Sequence, residues 1–91
     1  MKDLPLVMIT AEKVAKKKFS KKNVSEGDIN ILSEIYEFFF KYIDNLTLDL
    51  PIKKKKEIWN KNTINLCFKT YLYKNHNFKV SNELLKKISN Q

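Results

Sequence analysis

Four consecutive lysines, Lys53-Lys54-Lys55-Lys56, with the single tryptophan, Trp59, close behind them, depart furthest from what a fold alone requires. Ammonium groups crowded into the first turns of a helix meet its positive dipole end and one another, at about 0.3 kcal/mol each when exposed. Such a run supports docking to an acidic protein, a phosphate backbone or an anionic membrane surface. It is also what a solvated face looks like in a lysine-rich chain. Trp59 reads either as core or as an interface anchor beside the run. The partner-binding candidates are therefore Lys53, Lys54, Lys55, Lys56 and Trp59. A second mixture, Tyr71, Tyr73 and Phe78 interleaved with Lys69, Lys74 and Lys79, has the makeup of a surface that stacks bases while pairing phosphates. Aromatics at that spacing fit a core as well.

The remaining reactive side chains stand apart from one another. His76 is the only histidine and has no cysteine at metal-ligand spacing, so no metal site is expected. Cys67, the only cysteine, has no base near it in sequence and sits among apolar residues, which reads as a buried structural thiol. Glu34 and Glu37 fall on the polar side of their helix, a solvated pair without the shielding that an acid/base dyad needs. There is no Gly-rich phosphate loop, no GxSxG and no HExxH. The expectation is a non-enzymatic protein without a cofactor.

The charge is unevenly spread, and that asymmetry bears on partners. Residues 1–50 hold eight Lys against eight Asp or Glu, while residues 51–91 hold ten Lys against only Glu57 and Glu83. All of the net charge of +8 thus lies in the second half. Every basic residue is lysine, whereas arginine is the residue preferred for bidentate reading of guanine and for phosphate clamps. A compositional bias toward Lys, Asn and Ile, as in an AT-rich genome, accounts for this equally well. The apolar runs Leu6-Val7-Met8-Ile9 and Phe38-Phe39-Phe40 fall far short of the roughly 18 residues of a membrane span, so no transmembrane segment is expected. Nor is a signal peptide, because Pro5 interrupts the flank of the short N-terminal run and no small-residue cleavage site follows. A lone cysteine cannot form an internal disulfide and argues for a reducing, cytoplasmic setting.

One helix organises the rest. At about 100° per residue, Ile29, Ile31, Leu32, Ile35, Tyr36, Phe38, Phe39, Phe40, Tyr42 and Ile43 fill an arc of roughly 200°, leaving Asn30, Ser33, Glu34, Glu37, Lys41 and Asp44 opposite. An arc twice the width of a surface stripe needs neighbours on more than one flank. Residues 28–44 are therefore the expected central helix of a single-domain, all-α, antiparallel four-helix bundle spanning residues 1–91. Ser25 is its expected N-cap, with Asp28 as capping-box partner and Val24 stapled to Ile29. Pro51 starts a third helix running to about Lys74. Its principal stripe is Ile52, Trp59, Thr63, Leu66, Thr70 and Tyr73. A second stripe, Ile64, Phe68 and Tyr71, lies nearly opposite and invites a partner chain. Asn75-His76-Asn77 is a turn. Ser81 caps a fourth helix that carries Leu84, Leu85 and Ile88 inward, with Val80 placed to staple Leu85. At the N-terminus Thr10 offers a cap for a helix through Phe19, Pro5 offers an earlier start, and the run 6–9 also suits a strand; helix is favoured.

In these parts, and above all in Leu48-Asp49-Leu50-Pro51 leading into helix three and in the closing Asn77-Phe78-Lys79-Val80-Ser81-Asn82-Glu83-Leu84-Leu85-Lys86-Lys87-Ile88, the chain resembles the immunity proteins of pediocin-like bacteriocins. That family likewise follows a Pro-led third helix with a short turn, an aromatic or aliphatic residue, a Ser/Thr cap and a Leu-Lys-rich fourth helix. The likeness covers residues 28–91 loosely and 77–88 best. It implies a cytoplasmic protein, peripheral at the inner membrane face, that protects a bacteriocin producer. The partner so implied is a membrane-associated complex, the bacteriocin-bound sugar-uptake receptor of the mannose phosphotransferase type, with specificity carried by the C-terminal half. The residues alone leave a second expectation, a small basic nucleic-acid-binding module, viral or cellular.

Overall fold

The computed structural model describes residues 5–89, which form five α-helices: α1 (Leu6–Phe19), α2 (Ile29–Leu46), α3 (Ile52–Ile58), α4 (Lys61–His76) and α5 (Asn82–Ser89). The fold is an all-α bundle, as the helix signals require. α2 packs against α1, α4 and α5, and α1 also packs against α4. This is why α2 needs so wide an apolar arc. Its Leu32, Ile35, Tyr36, Phe39 and Ile43 are buried, while Ile29, Ile31, Phe38, Phe40 and Tyr42 flank the core at half burial.

Two expected boundaries move and one left open is decided, each for a local hydrogen-bonding reason. Asp28, not Ser25, caps α2, its Oδ1 accepting the Ile31 N–H at 3.3 Å. Ser25 instead closes a turn, its carbonyl taking the Asp28 N–H at 3.0 Å. A carboxylate is the better acceptor at the positive helix end. α1 takes the earlier of its two offered starts, behind Pro5, whose carbonyl accepts from Met8 at 2.9 Å and Ile9 at 3.2 Å. Thr10 therefore lies inside the helix, its hydroxyl turned back onto the Leu6 carbonyl at 3.0 Å.

The third change is the largest, since the helix expected from Pro51 to Lys74 breaks at Trp59-Asn60. Asn60 Oδ1 accepts the Thr63 N–H at 3.0 Å and Thr63 Oγ1 accepts the Asn60 N–H at 3.4 Å, a reciprocal capping box that starts α4. The Asn60 amide simultaneously donates to the Glu57 carbonyl at 2.9 Å, and the Thr63 hydroxyl donates to that of Ile58, so the same pair closes the C-terminal end of α3. Once the helix is broken there, α4 need not keep the angular phase of α3.

The break reverses the two stripes. Ile64, Phe68 and Tyr71, the stripe expected to need a partner chain, are wholly buried inside the chain with Cys67 and Leu72. Leu66 and Tyr73 of the expected principal stripe are exposed. At roughly 1.5–3 kcal/mol per large apolar side chain buried, a face carrying Ile64, Phe68, Tyr71 and Leu72 outweighs one carrying Leu66, Thr70 and Tyr73. α4 ends at Asn77 in the left-handed region (φ 51°, ψ 36°), a conformation asparagine tolerates, with the Leu72 carbonyl capped by the Asn77 N–H. Ser81 Oγ then accepts the Leu84 N–H at 3.2 Å at the start of α5, whose Leu84 and Ile88 are buried with Val80. Leu85 sits at the edge of the core.

Candidate docking surface

The lysine run is positioned by the way α2 stops. Thr47 is buried and turns its hydroxyl onto the Ile43 carbonyl at 2.8 Å, while its N–H bonds the same carbonyl at 3.1 Å. The chain turns there, through Leu50 N–H to the Thr47 carbonyl at 3.3 Å, into Pro51 at φ −55°. Proline lacks the N–H that a helix start leaves unsatisfied, and α3 follows directly. None of its seven residues is buried.

Within α3 the four lysines separate. Lys53, Lys54 and Lys56 are exposed, whereas Lys55 turns toward α2 with Nζ 3.5 Å from Asp44 Oδ1. Both partners remain partly in water, so this ion pair contributes well under about 1 kcal/mol. Trp59 turns inward with Lys55. Its ring meets Phe40 edge-on, centroids 4.9 Å apart at 76°, at the margin of the core. Its Nε1 is buried without a hydrogen-bond partner. Three candidates, Lys53, Lys54 and Lys56, thus share the outer surface of α3, and Trp59 lies on the other side. Sequence reasoning missed that Leu46 and Leu48 are exposed and placed Ile52, also exposed, in an inward stripe. The signal was present in a Leu-x-Leu loop leading to a seven-residue helix, too short to bury both flanks.

The second basic mixture is divided by the core. Tyr71 is buried, donating its hydroxyl to the Ala15 carbonyl at 3.0 Å, and burial pushes its pKa up to about 12. Phe78 is half-buried. Only Tyr73 stands exposed, in a shallow groove lined by Lys69, Thr70, Lys74, Lys79 and Val80. His76 Nε2 lies 3.2 Å from the Tyr71 hydroxyl, and desolvation holds its pKa below the ordinary imidazole value. Cys67 is buried, its Sγ 3.9 Å from both the Met8 carbonyl and Glu12 Oε1. Burial first, and the Glu12 charge second, raise this thiol's pKa far above the ordinary range. Such a thiol is a poor nucleophile. Desolvation also raises the pKa of Glu12, opposed by Lys74. Among the described residues no three His, Cys, Asp or Glu come together as a metal site, and no helix is long and apolar enough to cross a membrane.

Compared with family models, with curated proteins and with solved structures, the chain matches none. The arrangement of its own residues therefore carries the functional reading.

Proposed function

We propose that this chain is a non-enzymatic docking protein of the pediocin-immunity type, a cytoplasmic factor that binds a membrane-associated, bacteriocin-bound receptor complex through Lys53, Lys54 and Lys56. One observation carries the proposal: three exposed lysines occupy a helix that contributes no buried residue to the fold. Like charges at a helix start oppose stability, and α3 gives the core little in return beyond the half-buried Ile58, so a partner is the simplest reason to keep them. The resemblance over residues 77–88 supplies the biological setting. Expression in a bacteriocin-sensitive strain tests it. Wild type should raise survival, and K53Q/K54Q/K56Q should lower that protection while leaving the fold as stable or slightly more so. A chain that gives no protection against any pediocin-like peptide would sink this reading.

A second reading, a small basic nucleic-acid-binding module, draws on Tyr73 among Lys69, Lys74 and Lys79. Stacking platforms use successive aromatics along a basic groove, and only one of the three aromatics here is exposed. Retention on DNA that falls steeply with salt, the signature of counterion release, would favour it over docking to a protein complex.

A further inference from the structure

The α2–α3 corner carries something that docking through lysines alone does not require. Leu48 is 62 % and Ile52 is 75 % exposed, and Leu46 is 40 % exposed. Leu46 and Leu48 bracket Thr47, which takes the buried position at the corner, so a local adjustment cannot bring those two into the core without expelling it. The inward side of α3 is already held by Lys55 and Ile58, followed by Trp59. At about 100° per residue, Ile52 and Lys56 adjoin one turn apart and Lys53 lies next around the helix. Ile52, Lys56 and Lys53 therefore share one side of α3, with Lys54 further round the same exposed surface.

We infer that this corner is an interfacial membrane-docking element, with Leu48 and Ile52 inserting at the headgroup boundary of an anionic phospholipid bilayer while Lys53, Lys54 and Lys56 reach its phosphates. The inference rests on reading α3 as the docking surface, but not on the immunity role. Charge complementarity selects this occupant. A second copy would bring another chain of charge +8 and another lysine run against the first. Asp49 and Glu57 are exposed in the same stretch, and a continuous sheet of lipid phosphate tolerates such interspersed acids better than a single acidic pocket does. Lysine suits the role through its long apolar stem, which lies along buried hydrocarbon while the ammonium reaches the phosphates. Apolar insertion and basic attraction each give marginal membrane binding alone and stable binding together.

Co-sedimentation of the full chain with vesicles tests the inference. The vesicles are phosphatidylcholine alone or mixed with phosphatidylglycerol, at low and at physiological salt. Wild type should partition at least about tenfold more strongly onto the phosphatidylglycerol vesicles. L48S/I52S, which alters only exposed positions and is checked by circular dichroism, should lose about tenfold or more at physiological salt while keeping part of its low-salt binding. K53Q/K54Q/K56Q should lose the preference for phosphatidylglycerol. Failure of wild type to bind phosphatidylglycerol vesicles overturns the inference, as does equal binding to neutral ones. Undiminished binding by L48S/I52S also overturns it, because attraction would then be purely electrostatic. Protection of cells without vesicle binding removes this inference and leaves the proposed function standing; vesicle binding without protection does the converse.

Discussion

Asn60 and Thr63 hydrogen-bond each other's backbone N–H groups while their side chains also close the carbonyl end of α3, so one pair of residues ends one helix and begins the next. The break decides which face of α4 enters the core. It is also the part of the fold most open to a direct test.

Asn60→Ala should lower stability by about 1–2 kcal/mol, the upper half of the usual range for a lost N-cap, because donors at one helix end and acceptors at the other lose partners together. Chemical denaturation followed by circular dichroism measures it. A loss under about 0.3 kcal/mol would mean that water replaces the side chain and that the box does not hold the break.

Phe68→Ala and Leu66→Ala separate the two stripes of α4. Phe68 is fully buried and meets Tyr36 edge-on with centroids 5.1 Å apart, so its truncation should cost about 3–5 kcal/mol. Leu66 is exposed, and its truncation should change stability by no more than about 0.5 kcal/mol. The reverse order would restore the expected principal stripe to the core.

Trp59→Phe should be neutral or stabilising by up to about 1 kcal/mol, although tryptophan is the larger residue. The edge-on contact with Phe40 survives the change and the unpaired buried Nε1 disappears. Destabilisation by more than about 2 kcal/mol would show that indole packing outweighs the orphaned donor.

Acidification should weaken the fold through His76. Burial lowers its folded-state pKa from the ordinary 6.5, so the unfolded chain binds this proton more readily. The associated stability is present above the unfolded value and is lost as the pH falls through the folded one. Melting temperature should therefore drop between about pH 7.5 and about pH 5.5 in wild type, and His76→Gln should flatten that slope. Glu12 acts in the opposite sense at lower pH, since its raised folded pKa favours the protonated folded state, and Glu12→Gln removes that term. A wild-type slope unchanged in His76→Gln would assign the acid sensitivity elsewhere.

How much of this was legible in the sequence depended on whether one local pattern had a rival. α2 had none, because its apolar and polar residues segregate by angle without exception, and its three packing partners follow from the width of the arc. Ser81 likewise had no competitor as the cap of α5. Asp28 did have one in Ser25, three residues earlier, and a charged acceptor prevailed. The Trp59-Asn60 break was hidden because Asn-x-x-Thr is a weaker box than Ser/Thr-x-x-Glu and because Trp59 continued a plausible stripe across it. An uninterrupted helix then fixed the wrong face of α4. At the candidate docking surface the lysines were legible by composition, but Lys55 is set apart by Asp44, which only tertiary structure brings near.

That α3 buries none of its residues also has a kinetic meaning. Little more than the half-buried Ile58, the Asp44 ion pair, the Trp59 ring and the Asn60 cap ties it to the bundle, so its amides can exchange with solvent deuterium through a small local opening. Those of α2 must await global unfolding. The segment proposed to meet a partner is thus free to melt, tilt or refold on contact while Phe39, Phe68 and Tyr71 stay packed, so on that proposal recognition and stability draw on separate parts of the chain.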